Sequence, residues 1–427
     1  MRRCSCAVLA AALSLGAVPL CAQSGAAPAP VAADLAQCFA WAQEQSESLH
    51  MQEEQVRQLE SQFRQALAGV LPSLSFNASD KWLDTSGVAG GGTSAASPQP
   101  QVNLGLSQPL FSGLREYAAM AASRHQGQAA ALQLRRARAT LFRDVSGAFY
   151  LVVNLETQLA NTRAAVALSA SRVKELREWE ALGRSRHSEV VLVESQQSSL
   201  EAQAETQEGQ IAVARELLSF LTGQELAATA LPDKLERLRA LEPEEALLAR
   251  AQERSDVRAL RKQADAQEDQ VRIAKGAWWP TVSLTGNYYL KRMTSLDPIK
   301  WDAGITAGLP LFSGGGQLAG VRLAQSQLSS ARYAHELGLR QARSDIRSAS
   351  ATLRAAVSVA DASETAYRKA AEAYRLVTQE YRQGLVNNLD VLTAMNSLVG
   401  ARAAFDASVV QMKLDLLRLK VATEELP

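Results

Sequence analysis

The sequence predicts a mostly α protein with a small β part: long coiled-coil helices packed along their length, four short strands, and an internal twofold repeat. Three observations carry this. Apolar residues recur on four-three spacing over stretches far longer than a compact domain holds. Four short segments alternate apolar and polar residues with period two. The same order of motifs occurs twice, at a constant offset.

Composition agrees. The chain has 427 residues, 5% aromatic, with a formal net charge of +1. Ala, Leu, Gln, Arg and Glu dominate, as in long helices. A charge so near zero gives no footprint for a nucleic-acid partner. Residues 1–22 read as a signal peptide: Arg2 and Arg3, then an apolar run from Ala7 to Val18, with cleavage after Ala22 or Ala26. Removing the two Arg leaves 43 basic against 44 acidic residues. No later stretch reaches the ~18 apolar residues of a membrane helix. Cys4, Cys6 and Cys21 fall in the signal region, so Cys38 stands alone and no internal disulfide forms. Residues 23–33 are a Pro- and Ala-rich flexible lead-in.

The first repeat spans 34–222. A helix from Asp34 to Ala68 ends at Pro72. Leu74, Phe76 and Ala78 then alternate with Ser73, Ser75, Asn77 and Ser79, a strand. A Gly/Ser-rich loop covers Ser86 to Ser97. Val102, Leu104 and Leu106 against Asn103, Gly105 and Ser107 give a second strand, closing a hairpin over 72–110 that runs into Gln108-Pro-Leu-Phe-Ser-Gly113. A helix then continues to Leu182. Its seam is Leu141, Val145, Ala148, Val152, Leu155, Leu159, Thr162, Val166, Ser169 and Val173. Nearly seventy helical residues reach on the order of 100 Å. Gly183 ends the rod, and a return helix runs from Ser188 to Leu221.

Residues 223–243 form a linker. The second repeat, 244–427, restates the plan. A helix from Glu244 to Ala277 ends at Pro280. Val282, Leu284, Gly286 and Tyr288 alternate with Thr281, Ser283, Thr285 and Asn287. A shorter loop holds Asp297-Pro298. Trp301 to Leu309 is the fourth strand, closing a hairpin over 280–311. Leu309-Pro-Leu-Phe-Ser-Gly314 echoes the earlier junction at an offset of 201; before the strands the offset is 208. The second rod carries Ile346, Leu353, Ala360, Tyr367, Tyr374 and Tyr381 on its seam. Its return helix carries Val391, Met395, Leu398, Phe405, Val409, Met412, Leu416 and Leu419.

Between those helices lies the most specific turn in the chain, from Tyr381 to Leu398. Gly384 suits a left-handed helix end. Asn387 caps the next helix, and Asp390 three residues later completes a capping box. Trp179 to Gln196 repeats this turn in weaker form.

Each predicted strand is near the length that crosses a bilayer when tilted. Four strands cannot close a barrel, and an open edge in lipid leaves backbone groups unpaired. A membrane reading therefore requires several copies to share one barrel. Trp82, Trp278, Trp279 and Trp301 fall in or beside strands, as an interfacial aromatic belt requires. The alternative is a periplasmic coiled-coil scaffold without a pore, its hairpins covering one end of a soluble bundle.

The repeat, the two hairpins, the Pro-Leu-Phe-Ser-Gly junctions and the Gly-x5-Asp-Val-Leu tip together resemble outer-membrane efflux proteins of the TolC type. The resemblance covers nearly the whole mature chain. It implies a homotrimer whose chains give a trimeric 12-stranded transmembrane β-barrel in outer-membrane lipid, continued by a long α-helical coiled-coil barrel, a tunnel across the periplasm. It implies a passive exit duct for tripartite efflux or type I secretion, located in the cell outer membrane and extending into the periplasm. A periplasmic adaptor (membrane fusion) protein docks on the tips and links an inner-membrane pump. By the same resemblance, Asp390, Tyr381 and Glu189 lie at the periplasmic aperture, and Gly183, Arg184, Ser185, Gly384, Leu385 and Val386 at the docking tips. Val386 stands where some relatives have a basic gating residue and Thr393 where some have a second acid. The ring here therefore carries one Asp per chain. Cys21 is a poor lipidation site, because Leu20 is large where a small residue is expected.

Leu385 and Val386 read as an exposed apolar pair. Asp390 and Glu189 also read as helix-start acids favoured by the dipole, Tyr381 as a seam residue, and Arg184 and Arg186 as solvated charges. His50, His125, His187 and His335 show no metal-ligand spacing. Ser313-Gly-Gly-Gly316 lacks the Gly-Lys-Ser/Thr of a phosphate loop. No nucleophile motif occurs. The expectation is a non-enzyme without cofactor, powered by a partner.

Overall fold

The computed structural model describes residues 32–83, 97–227, 229–238, 242–292 and 299–425. The signal region, most of the lead-in, most of the Gly/Ser loop and Asp297-Pro298 lie outside the described residues, as do parts of the linker.

Two helices of equal length dominate. α3 (Arg115–Ala181) and α7 (Gly316–Arg382) each have 67 residues, about 100 Å of helix. Their return partners α4 (His187–Thr222) and α8 (Asn388–Thr423) have 36 each. Every seam position predicted on α3, α7 and α8 is buried or half-buried. Towards the tips, α3 packs on α4 and α8, and α7 on α8; towards the sheet, α2 (Glu47–Ala68) packs on α3, and α6 (Ser255–Gly276) joins α3 to α7.

Two helices predicted as continuous are broken. In the first, α1 (Leu35–Gln45) ends at Ser46, whose extended backbone and side chain cap α2 by accepting from Leu49 N. Ser competes for backbone hydrogen bonds and so starts a new helix where the apolar pattern alone shows none. In the second, α5 (Glu244–Ala249) runs into a 3-10 turn at 250–252, and α6 starts after Arg254. Arg254 is buried there, donating to Asp256 (2.6 and 3.0 Å) and to Asp345 on α7 (3.1 Å). Arg136 on α3 approaches Asp256 at 3.7 Å and Glu424 at 3.5 Å. This ion cluster joins α3, α6, α7 and the end of α8 at mid-height. Burial alone would raise the Asp256 carboxyl; hydrogen bonds and charge from Arg254, with Arg136, more than offset it and hold the group below the usual range.

The core sits at the same level. Phe142, Phe149 and Tyr150 of α3 pack with Phe39 and Ala42 of α1, Leu218 of α4 and Val421 of α8. Cys38 is free and buried in this cluster, and burial pushes its thiol up to about 11.

Four strands form one antiparallel meander: β1 (Ser73–Leu83), β2 (Ser97–Ser112), β3 (Thr281–Arg292) and β4 (Trp301–Gly308), in the order β1-β2-β3-β4. The two hairpins share a register under the sequence offsets. Leu74 faces Leu106 as Val282 faces Ala307, and Ser73 faces Ser107 as Thr281 faces Gly308. β1 and β4 are left as open edges.

Where sheet meets helices, backbones touch. Gly113 (φ +70°) lies against Gly276, and a Cβ on either would collide with the other's carbonyl or with Arg115.

Candidate functional site

The sheet has two chemically different faces. On one, Leu74, Phe76, Leu106, Tyr288 and Ile305 stand exposed. On the other, Asn103 Nδ2 donates to Asn287 Oδ1 (3.0 Å) and Asn287 Nδ2 to Asp302 Oδ1 (2.9 Å). Tyr289 OH donates to Asp302 Oδ2 at 2.7 Å. An apolar outer face over a satisfied polar inner face suits lipid outside and water inside.

Trp82, Trp278, Trp279 and Trp301 are all exposed. They fall at two levels. Trp278 and Trp279 precede β3 at the helix end of the sheet, whereas Trp301 pairs with Tyr288 and Trp82 with Pro98 at the far end. From Trp279 to Tyr288 is about 30 Å along a strand at ~3.3 Å per residue. At a tilt of ~40° that is roughly 23 Å in height, close to the ~25 Å apolar band of an outer-membrane barrel. No helix among the described residues is long and apolar enough to cross a membrane.

At the other end of the rods the two tips share one backbone design. Gly183 (φ +70°) and Gly384 (φ +78°) are left-handed. Arg184 N donates to Trp179 O (2.8 Å) and Leu385 N to Glu380 O (3.0 Å), the same helix-closing bond 201 residues apart. The following helices differ. Asn387 and Asp390 form a reciprocal capping box, both bonds 3.0 Å. Arg186, at the matching position before α4, makes no side-chain cap; Glu189 instead accepts from Ser185 Oγ at 2.9 Å.

Asp390, Gly384, Leu385, Gly183 and Arg184 are exposed; Ser185 and Glu189 are half-buried. Val386 departs from the expected exposed pair. It is half-buried and packs against the cluster of Val173, Leu176, Val190, Tyr381, Val391 and Met395, because the turn folds it back onto the helix seam.

That cluster has a polar pin that the sequence reading missed. Arg172 on α3 is buried and donates to Asn388 Oδ1 from Nη2 (2.8 Å) and Nε (3.3 Å), and to Glu175 at 2.7 Å. Its guanidinium lies 4.1 Å from the Tyr381 ring centroid, and Tyr381 stacks on Trp179 at 5.0 Å. Arg382 reaches Glu175 at 3.4 Å. Burial raises the Tyr381 hydroxyl above its ordinary value, against the opposing charge of Arg172. Three helices, α3, α7 and α8, are thereby tied together beside the tip. Asp390 and Tyr381 are brought to one tip, Tyr381 inside the pin and Asp390 outside it. Among the described residues no cluster of three potential metal ligands occurs.

A pair of rods about 100 Å long under a sheet with a lipid-compatible face defines an outer-membrane protein that extends into the periplasm. The chain belongs to the outer membrane efflux protein family, whose sequence profile matches residues 40–224 and 247–423. A membrane protein from Pseudomonas aeruginosa is similar over 91% of this chain and 93% of its own, at 24% identity and a TM-score of 0.80. The outer membrane protein VceC from Vibrio cholerae is similar over 91% of this chain and 95% of its own, at 24% identity and a TM-score of 0.79. Nodulation protein T of Rhizobium leguminosarum bv. viciae is 24% identical over 173 residues, which are 40% of this chain and 36% of that relative.

Proposed function

We propose that three copies share one twelve-stranded barrel and form a passive exit duct from the periplasm through the outer membrane. The observation that carries this is the sheet: two open edges and an apolar outer face on a four-stranded meander. Unpaired edge groups in lipid cost several kcal/mol each, so the sheet needs neighbours. The rods continue the duct across the periplasm as a helical barrel. The matching register of the two hairpins supports reading 34–222 and 244–427 as two structural repeats, with 223–243 as their linker.

The tips form the periplasmic end. Asp390, Tyr381 and Glu189 belong to its aperture, Asp390 as the exposed acid and Tyr381 as part of the pin. Gly183, Arg184, Ser185, Gly384 and Leu385 present the docking surface for a periplasmic adaptor that links an inner-membrane pump; Val386 supports it from beneath. The duct carries no catalytic step, and its partner supplies the energy. Conductance tests this reading. The purified assembly in a planar bilayer should form a pore, larger with Asp390→Ala; no pore from either protein would reject it.

A further inference from the structure

A cavity of about 470 Å³ lies at mid-height, away from both the tips and the sheet, where residues 232–235 cross α1, α3 and α8. Its size is within the ~300–1,000 Å³ of small-molecule sites. The wall is apolar. Phe142 and Phe149 of α3 and Leu417 of α8 are buried beneath it, and Leu35, Pro232 and Leu235 line it half-buried.

The acids around this cavity already have partners. Asp34 accepts from Lys234 Nζ (2.8 Å) and Gln37 N (2.9 Å). Asp233 accepts from Tyr150 OH (2.8 Å), Leu235 N (3.1 Å) and Lys413 Nζ (2.6 Å). Glu425 pairs with Arg250 at 2.5 Å. Lys420 of α8 differs. It lines the same cavity half-buried, and its ammonium has no hydrogen bond or salt bridge among the described residues. Each lining acid is therefore balanced by another cation, and Lys420 leaves one positive charge over beside an apolar wall. A charge drawn partly out of water favours a counter-ion.

We propose that this cavity binds an anionic amphiphile, an unbranched carboxylate of the fatty-acid class. Its chain lies on the apolar wall and its head on Lys420 Nζ. Charge selects this occupant. One ammonium matches one carboxylate, whereas a phosphate dianion would keep a charge without a partner. A cationic amphiphile would meet Lys420 with like charge. The bound chain bridges residues 232–235 to α3 and α8. Neither the aperture nor the barrel takes part, so the site does not depend on the duct reading.

Equilibrium dialysis of radiolabelled decanoate and decanol against the assembled protein tests this. One non-ionic detergent throughout keeps micelle partitioning equal for every variant. Lys420→Gln should weaken decanoate binding at least about tenfold and leave decanol within about twofold, the loss expected of one charged hydrogen bond. Lys420→Arg keeps the charge and should bind decanoate within about threefold of the unmodified protein. Ala36→Trp, at an exposed lining position, should block both ligands with Lys420 intact. Hydrogen exchange locates the site: decanoate at about ten times its Kd should slow the Leu235 amide about tenfold. Unchanged decanoate binding in Lys420→Gln, or equal loss of both ligands, would overturn the role of the charge. Absence of saturable binding, binding that Ala36→Trp leaves intact, or an unaltered Leu235 amide would overturn the site. Binding by dissociated chains but not by the assembly would mean that a second copy covers the cavity, and would overturn it too.

Discussion

Replacing Arg172 by Met keeps most of the side-chain volume and removes the charge from the tip pin. The structure sets the size of the effect. Arg172 gives two hydrogen bonds to one buried acceptor, Asn388 Oδ1, and stacks 4.1 Å over Tyr381. Hydrogen bonds involving a charged group contribute about 1.5–3 kcal/mol, and a partly desolvated cation–π contact about 1–2 kcal/mol. Glu175 keeps Arg382 as a partner, so its charge is not stranded. The joint between α3 and the start of α8 should therefore weaken by about 3–4 kcal/mol. At 1.4 kcal/mol per tenfold, local opening becomes more frequent by over about 100-fold. Hydrogen exchange of the amides from Leu392 to Leu398 reads this directly, with amides of the mid-height core as the internal reference. Acceleration confined to the tip supports the pin. Rates within about threefold of the unmodified protein would mean that the apolar cluster alone holds the tip, and the reasoning would fail.

Three other outcomes follow. Asp390→Ala and Asn387→Ala both remove the capping box, at about 1 kcal/mol each; only Asp390→Ala should raise single-channel conductance, and equal increases would reduce Asp390 to a cap. Gly113→Ala should abolish stable assembly, because its Cβ meets the Gly276 carbonyl at a left-handed position; a normal yield of outer-membrane protein would contradict that packing. The Asp256 carboxyl lies below its ordinary value of 3.8 when folded, so its contribution is present above that pH and lost as pH falls through the folded value. Asp256→Asn should lower the unfolding midpoint at pH 7 and flatten its fall in acid below about pH 4, and an unchanged acid limb would exclude this cluster as its source.

Much of the fold was legible because long-range order here is periodic. Strand alternation reports a sheet with one apolar and one polar face, so Leu74 and Ser73 announce their sides without knowledge of their neighbours. Seam residues such as Val145 and Leu353 do the same for helices packed along their length. The Gly384–Asn387–Asp390 turn is local chemistry within seven residues. The missed features lie outside the apolar pattern. Ser46 and Arg254 break helices through caps and buried ion pairs that leave the apolar pattern intact. Arg172 meets Asn388 across 216 residues of sequence, and only the packing of α3 on α8 brings them together; its one signal was an arginine beside the seam residue Val173. Val386 was misread because a turn looks exposed in sequence until its direction is known.

The most direct test of the central claim is the native mass of the protein extracted in detergent from outer membranes. A mass of three chains is the predicted result, since four strands need neighbours to close. A monomer that stays soluble without detergent would contradict it: the sheet would then never enter lipid, and the rods would belong to a periplasmic scaffold.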